Sequence, residues 1–476
     1  MTVVTVLGRA LETLKVVLIN TYELGRQPFA LAEPAAWLRA DGFNVHCLDL
    51  SVQRLEDHVL ENAGLVAIYL GMHTATRLAV EALPRIKHAA PTAHLCAFGL
   101  YAPMNQRALL RLGVRSLLGG ESEPRLLSLA NLLRSGEPID SQGMPRVDLD
   151  KITFRVPDRS LLPPLSSYAH LRMPDGEQKT TGFVETSRGC KHVCRHCPVV
   201  PVYNGRFRII PVDIVLKDVG QQVVSGATHI SFGDPDFLNG PTHARRVIEA
   251  MQRQYPRLTF DATIKIEHII KHSALLPKLA EAGCLFVTTA VESVDDCILA
   301  YLKKGHTTAD FAVAVGLLRD SGIAISPTFV PFTPWTTVQG YLTLLRRIVE
   351  LELVESVSSV QLGIRLLIPD GSHMLRLPAI EPFLKHFDPN MLGYPWRYED
   401  PKVDRLQRSV QELTASAGAE GQTRRQIFQE IWGKSHELAG ISAPALPIDV
   451  CDAQIPHMSE PWYCCAEPTA AQLRSF

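Results

Sequence analysis

Thr186-Ser187-Arg188-Gly189-Cys190-Lys191-His192-Val193-Cys194-Arg195-His196-Cys197-Pro198 is the stretch that decides how this chain of 476 residues is read. Its cysteines are spaced C-x3-C-x2-C. Three thiolates on one tight loop could hold three irons of a cubane [4Fe–4S] cluster. The fourth iron is then left open to a substrate or cofactor, which a four-cysteine electron-transfer cluster does not readily allow. The competing reading is zinc. Structural zinc is usually closed by four ligands, commonly two C-x2-C pairs. Here one triplet stands without a second pair nearby, although His192 and His196 could serve. Arg188, Lys191 and Arg195 place positive charge around the triplet, which favours thiolates and offsets a negatively charged cluster.

Composition sets the frame around that loop. The length fits two to four domains with an ample core. Apolar residues make up 46% and charged residues 20%, an ordinary globular balance. The net charge of −1 gives no global field for nucleic acid or an anionic membrane. No apolar run has the length of a membrane span, and the first residues lack a signal-peptide layout. Ten cysteines in such a length are no disulfide scaffold. Their grouping as one triplet and one tail pair suits a reducing cytoplasm, which is the expected location.

Upstream of the loop, Lys15–Asn20, Phe43–Leu50, Leu65–Gly71 and His94–Gly99 read as buried strands separated by helices, and Ser116–Glu123 closes the series. Such alternation predicts a parallel, doubly wound α/β sheet of Rossmann-like type over residues 1–140. Residues 141–180, rich in Pro, Asp and Ser, read as a linker. The strand–helix alternation restarts at Thr181 and predicts a partial TIM-type (β/α) barrel over 181–375. A mainly helical region over 376–440 and an extended, Pro-rich tail over 441–476 follow.

The cysteine spacing resembles that of the radical S-adenosylmethionine (SAM) superfamily, which implies a [4Fe–4S] cluster held by Cys190, Cys194 and Cys197, with SAM as cosubstrate. In that superfamily the second barrel strand ends in a short motif that holds the SAM amino group. The resemblance puts Ser231, Phe232, Gly233 and Asp234 there, against the plainer reading of a Gly-Asp-Pro turn. Ala290-Val291-Glu292-Ser293, followed by Lys304-Gly305-His306-Thr307, resembles a further superfamily stretch. It implies Glu292 and Ser293 near the ribose or methionine end of SAM; the alternative is a strand-end carboxylate that caps a helix. His306 is a candidate proton donor, and Trp335 a candidate wall for substrate or adenine. Arg365, set in the apolar run Gly363–Pro369, needs an anion, which a SAM carboxylate or a buried acid would supply.

The N-terminal half resembles the cobalamin-binding-type domain that precedes many radical SAM barrels, and Gly120-Glu121-Ser122-Glu123 fits that likeness. The D-x-H-x-x-G motif that supplies a histidine to cobalt is missing after the first strand, where Thr21-Tyr22-Glu23-Leu24-Gly25 stands. Cobalamin therefore binds without a protein histidine, or the domain has lost it and shapes the substrate site instead.

Near the end stands Pro461-Trp462-Tyr463-Cys464-Cys465-Ala466-Glu467-Pro468. It resembles the CUAEP/CCAEP-tail radical SAM family, with selenocysteine of relatives at the place of Cys465. That implies a reactive nucleophile or soft-atom ligand. Cys464 and Cys465 would act as a redox or hydrogen-donor pair, or bind a soft electrophile such as trivalent arsenic with Cys451 as third thiol. The tail also resembles that of the radical SAM enzyme of arsinothricin biosynthesis. The expectation is an enzyme that cleaves SAM reductively and acts on a small molecule, with a reductant such as flavodoxin or ferredoxin and with no membrane or nucleic-acid partner. One alternative is transfer of the 3-amino-3-carboxypropyl group of SAM to a thiol-bound acceptor; another is a non-catalytic metal or thiol sensor.

Overall fold

The computed structural model describes residues 14–139, 146–446 and 454–460. Strands β1 (Lys15–Asn20), β2 (Asn44–Asp49), β3 (Leu65–Tyr69), β4 (His94–Phe98), β5 (Ser116–Gly120) and β6 (Arg146–Asp148) form one parallel sheet in the order 2-1-3-4-5-6. Both faces are covered, so the strands are apolar almost throughout. Within β1, Val16 and Leu18 pack with Leu31, Leu38 and Leu126 of helices Phe29–Ala40 and Glu123–Ser135. Val17 and Ile19 pack with Ala79, Leu83 and Ile86 of helix His73–Ala89 on the opposite face. The strand order reverses at β1, and a ligand crevice is expected beyond the carboxyl ends at such a point.

The segment read as a linker is built more firmly than its composition suggests. It holds the antiparallel pair β7 (Leu171–Arg172) and β8 (Gln178–Lys179). It also buries Arg159, which pairs with Asp218 at 2.8 Å and donates to the Phe183 carbonyl at 2.7 Å.

The second sheet begins with β9 (Thr181–Val184). An antiparallel pair, β10 (Ser187–Gly189) and β11 (Phe207–Ile209), then clasps the cysteine loop at its base. Strands β12 (His229–Phe232), β13 (Thr259–Thr263), β14 (Cys284–Glu292) and β15 (Ala324–Phe329) follow in parallel, in the order 15-14-13-12-9. Helices such as Val212–Val224, Pro241–Gln254 and Val338–Glu350 back this partial barrel. The apolar run Gly363–Pro369 makes one parallel bridge, Phe332 with Arg365, and one antiparallel bridge, Pro369 with Gly393, after the 3-10 turn Ser359–Gly363.

Two long helices, Pro401–Glu420 and Arg424–Ala439, complete the body, the second ending at Gly440 in the left-handed region. Part of the tail then returns. β16 (His457–Met458) pairs antiparallel with β7, and the Tyr22 hydroxyl donates to Glu460 Oε1 at 2.6 Å.

Candidate active site

Gly189 opens the cysteine loop at φ +73°, and a Cβ there would sit 2.5 Å from the Arg206 carbonyl oxygen. Only glycine makes that entry without strain. Beyond it Cys190 and Cys194 are buried, Cys197 is half-buried, and none is in a disulfide. All three line a cavity of about 370 Å³ between the barrel's carboxyl end and the N-terminal sheet. Burial pushes the Cys190 and Cys197 thiols up, so thiolates here need a positively charged partner such as iron. The donor set, three soft sulfurs facing one cavity, fits three irons of a [4Fe–4S] cluster. Zinc would need a fourth ligand: Cys190, His192 and Asp236 come within 4.8 Å of one another, but the other candidate, His196, is taken by Glu292 Oε1 at 3.1 Å.

Glu292 stands at the end of β14 with φ +67°, just past a register shift between Ala290 and Glu292. That left-handed position is costly for a residue with a side chain and is the kind of strain that marks functional sites. Its Oε1 is 3.2 Å from Lys304 Nζ. Burial alone would raise its pKa, yet Lys304 and His196 hold it at about 2. Lys304, 3% exposed, in turn feels Cys194 and Cys197 as well as Glu292. The chain thus sets a buried cation beside the thiolates.

Gly233 and Asp234 also line the cavity. A Cβ on Gly233 would meet the Phe183 ring at 2.3 Å. Asp234 turns its carboxylate to the cysteine loop, accepting from Thr186 N at 3.0 Å, from Thr186 Oγ1 at 2.8 Å and from the Ser187 hydroxyl. Burial nonetheless pushes it up to about 6. Its geometry pins the loop base.

Several residues singled out from the sequence lie elsewhere. Ser231 donates to Asp261 Oδ1, and Phe232 stacks on Phe237 in the core. Ser293 Oγ accepts from Asp295 N, 3.1 Å away. Arg365 lies over the Trp396 ring at 4.0 Å and donates to the Trp396 carbonyl. Trp335 packs on Tyr301, 4.5 Å between centroids, and His306 bonds to the Val291 carbonyl at 3.2 Å. None of these six is among the residues lining the cavity. Cys451, Cys464 and Cys465 lie outside the described residues.

Other lining residues escaped the sequence reading. Arg188 of the cysteine loop bridges to the sheet domain, with Nη1 2.8 Å from Glu123 and 3.2 Å from Glu121, and Nη2 against Glu33. Its Nε is 3.4 Å from Glu185. In the sequence Glu121 and Glu123 belong to a Gly-Glu-x-Glu pattern and Arg188 is one of three cations near the cysteines; nothing in sequence spacing joins positions so far apart.

The sheet-domain wall of the cavity tests the fit of cobalamin. Cavity-lining histidines, among the described residues, are His192 and His196 of the cysteine loop, so the sheet offers no imidazole. Gly71 and Gly99 leave no open cradle. A Cβ on Gly71 would meet Tyr69 Oη at 2.4 Å, and one on Gly99 would meet the Leu70 carbonyl and the Tyr69 ring at 2.8 Å. The residues present do not fit a histidine-ligated corrin.

Residues 184–339 match the Radical SAM superfamily. That match implies a radical SAM domain, with a [4Fe–4S] cluster and SAM as its cofactors. The chain's sequence is similar to tRNA-2-methylthio-N(6)-dimethylallyladenosine synthases. That of Chlorobium limicola is 28% identical over 162 residues, 32% of this chain and 36% of the relative. That of Mannheimia succiniciproducens is 26% identical over 260 residues, 51% and 50% of the two chains. The chain spans half or less of the length of these curated relatives. Its fold is similar to the cobalamin-dependent SAM radical enzyme OxsB with aqua-cobalamin bound (TM-score 0.67, 16% identity, 86% of this chain and 67% of that one). It is similar also to the radical SAM methyltransferase TsrM from Kitasatospora setae with cobalamin and a [4Fe–4S] cluster bound (TM-score 0.65, 17% identity, 88% and 99%).

Proposed function

We propose that this chain cleaves SAM reductively and directs the resulting carbon radical onto a small molecule held between barrel and sheet domain. The observation that carries this reading is the convergence of Cys190, Cys194 and Cys197 on a cavity that also presents Glu292, Lys304, Gly233 and Asp234. When bound, the cluster supplies the electron and SAM the radical.

The chain's own groups then have distinct tasks. Cys190, Cys194 and Cys197 would hold three irons. Lys304 offsets thiolate charge and keeps Glu292 ionised, so that Glu292 is ready to accept from the SAM ribose or ammonium. Gly233 leaves backbone exposed where a side chain could not fit beside Phe183. Asp234, held by Thr186 and Ser187, keeps the loop in register with β12. Phe29, Phe98 and Phe183 give the cavity apolar lining, which would limit water around a reactive carbon centre. No step is derived through cobalamin.

Aminocarboxypropyl transfer to a soft acceptor remains the other reading. It rests on Cys451, Cys464 and Cys465, and no described contact favours it. Anaerobic reconstitution, reduction in the presence of SAM and mass spectrometry of the products test the proposal. 5′-Deoxyadenosine with methionine is the expected pair. Methylthioadenosine increased by arsenite would move the assignment to the other reading, and iron-loaded protein that leaves SAM intact would overturn both.

A further inference from the structure

Carboxylates gather on the sheet-domain side of the cavity, where Arg188 and Arg26 are the lining guanidiniums. Around the single guanidinium of Arg188 stand four carboxylates, Glu33, Glu121, Glu123 and Glu185, brought from both domains. A fifth, Glu23, comes from the loop after β1. It is 8% exposed, lines the cavity, and its Oε2 has no hydrogen-bond partner. Glu123 Oε2 is likewise buried without a partner on the same wall. A buried carboxylate left unpaired is costly unless it is protonated or meets a cation. Burial raises Glu23 well above the ordinary carboxylate range and brings Glu185 to about 7, so both carboxyls hold a proton more tightly than exposed ones do, and a positive charge arriving beside them would favour the release of that proton.

The surroundings narrow the ligand. Phe29, Tyr69, Phe98 and Phe183 line the same cavity, and the Phe29 ring lies beside Arg188, 5.5 Å from its guanidinium carbon to the ring centroid. A small hydrated metal ion would leave that apolar surface empty. An organic cation with an apolar body would fill it and bring its charge to the carboxylates.

We infer that the sheet-domain half of the cavity recognises the ammonium group of an amine substrate, through Glu23 with Glu123 and Glu185, while the aromatic wall receives its apolar body. This names the substrate class of the site proposed above and rests on that reading.

The test is calorimetric titration of the iron-loaded protein with SAM present, using 2-phenylethylamine and its matched anion 3-phenylpropionate as probes. The amine should bind about tenfold tighter or better, and Glu23→Gln should reduce that preference to less than about threefold. Glu185→Gln serves as a second variant should the first fail to fold, with the same expectation. Equal binding of the two probes, or a preference untouched in the folded variant, overturns the inference. SAM cleavage by the wild-type protein is measured separately. A protein that cleaves SAM yet shows no amine preference keeps the radical reading and loses this one.

Discussion

At the scale of single residues, the pairing of Glu292 with Lys304 controls the charge beside the three cysteines. Both are buried, and removing one partner from such a pair leaves an uncompensated charge. Lys304→Met should lower stability by about 3 kcal/mol, read as a fall in the denaturant midpoint. The sign of the pH effect follows from Glu292, whose folded pKa of about 2 lies below its ordinary value of 4.5. The pair's contribution is complete above pH 4.5 and is lost as pH falls through 2. In Lys304→Met the carboxyl rises toward its ordinary range or beyond, so this stretch of the acid limb should flatten in an acid-unfolding titration. Cys194→Ala addresses the cluster itself. It should lower SAM cleavage to below about one hundredth of the wild-type rate, because two thiolates on one loop do not hold three irons. Iron content and product chromatography check it, and full activity would remove the cluster assignment.

At the scale of elements, local chemistry explains where chain segments start and stop. Thr307 caps helix Thr308–Asp320 through a capping box with Asp310, and that helix packs Phe311 and Leu318 behind β15. Thr307→Ala should reduce stability by about 1 kcal/mol and leave the cavity unaltered, a difference that thermal melts would resolve. Elements of this kind were legible from sequence. The apolar runs of β1, β3 and β4 carried their own assignment, and the alternation after Thr181 marked the barrel. The cysteine triplet was legible because all its parts sit within eight positions of the chain. The Arg188 network was not, because its four carboxylates come from positions 33, 121, 123 and 185, and only folding brings them to one guanidinium. The partners of Arg365 were not legible either. An apolar run with one arginine suggests an anion, and the structure satisfies it with two aromatic faces and a carbonyl.

At the scale of the whole molecule, Arg188 ties the cysteine loop to the sheet domain. The side chain is 10% exposed and its carboxylate partners on the sheet side are nearly inaccessible. Arg188→Met should loosen the contact between the two bodies, since three like charges from the sheet side would then face Glu185 without a cation. Two unfolding transitions in calorimetry, where the wild type has one, are the expected outcome. A single unshifted transition would mean that the other contacts, such as Arg159 with Gln27 and Tyr168 with Asp49, suffice to join the domains.

The return of the chain at β16 also sets a schedule. Leu24 and Arg26 near the beginning, Asp261 and Thr328 in the barrel, and His457 to Glu460 together wall a second cavity of about 180 Å³ below the first. During synthesis every other described element has left the ribosome before residues 454–460 emerge. A nascent chain can therefore form its cysteine loop and sheet domain while the wall that Met458, Ser459 and Glu460 give to the second cavity is still missing. Among the described strands, β16 is the last to be made.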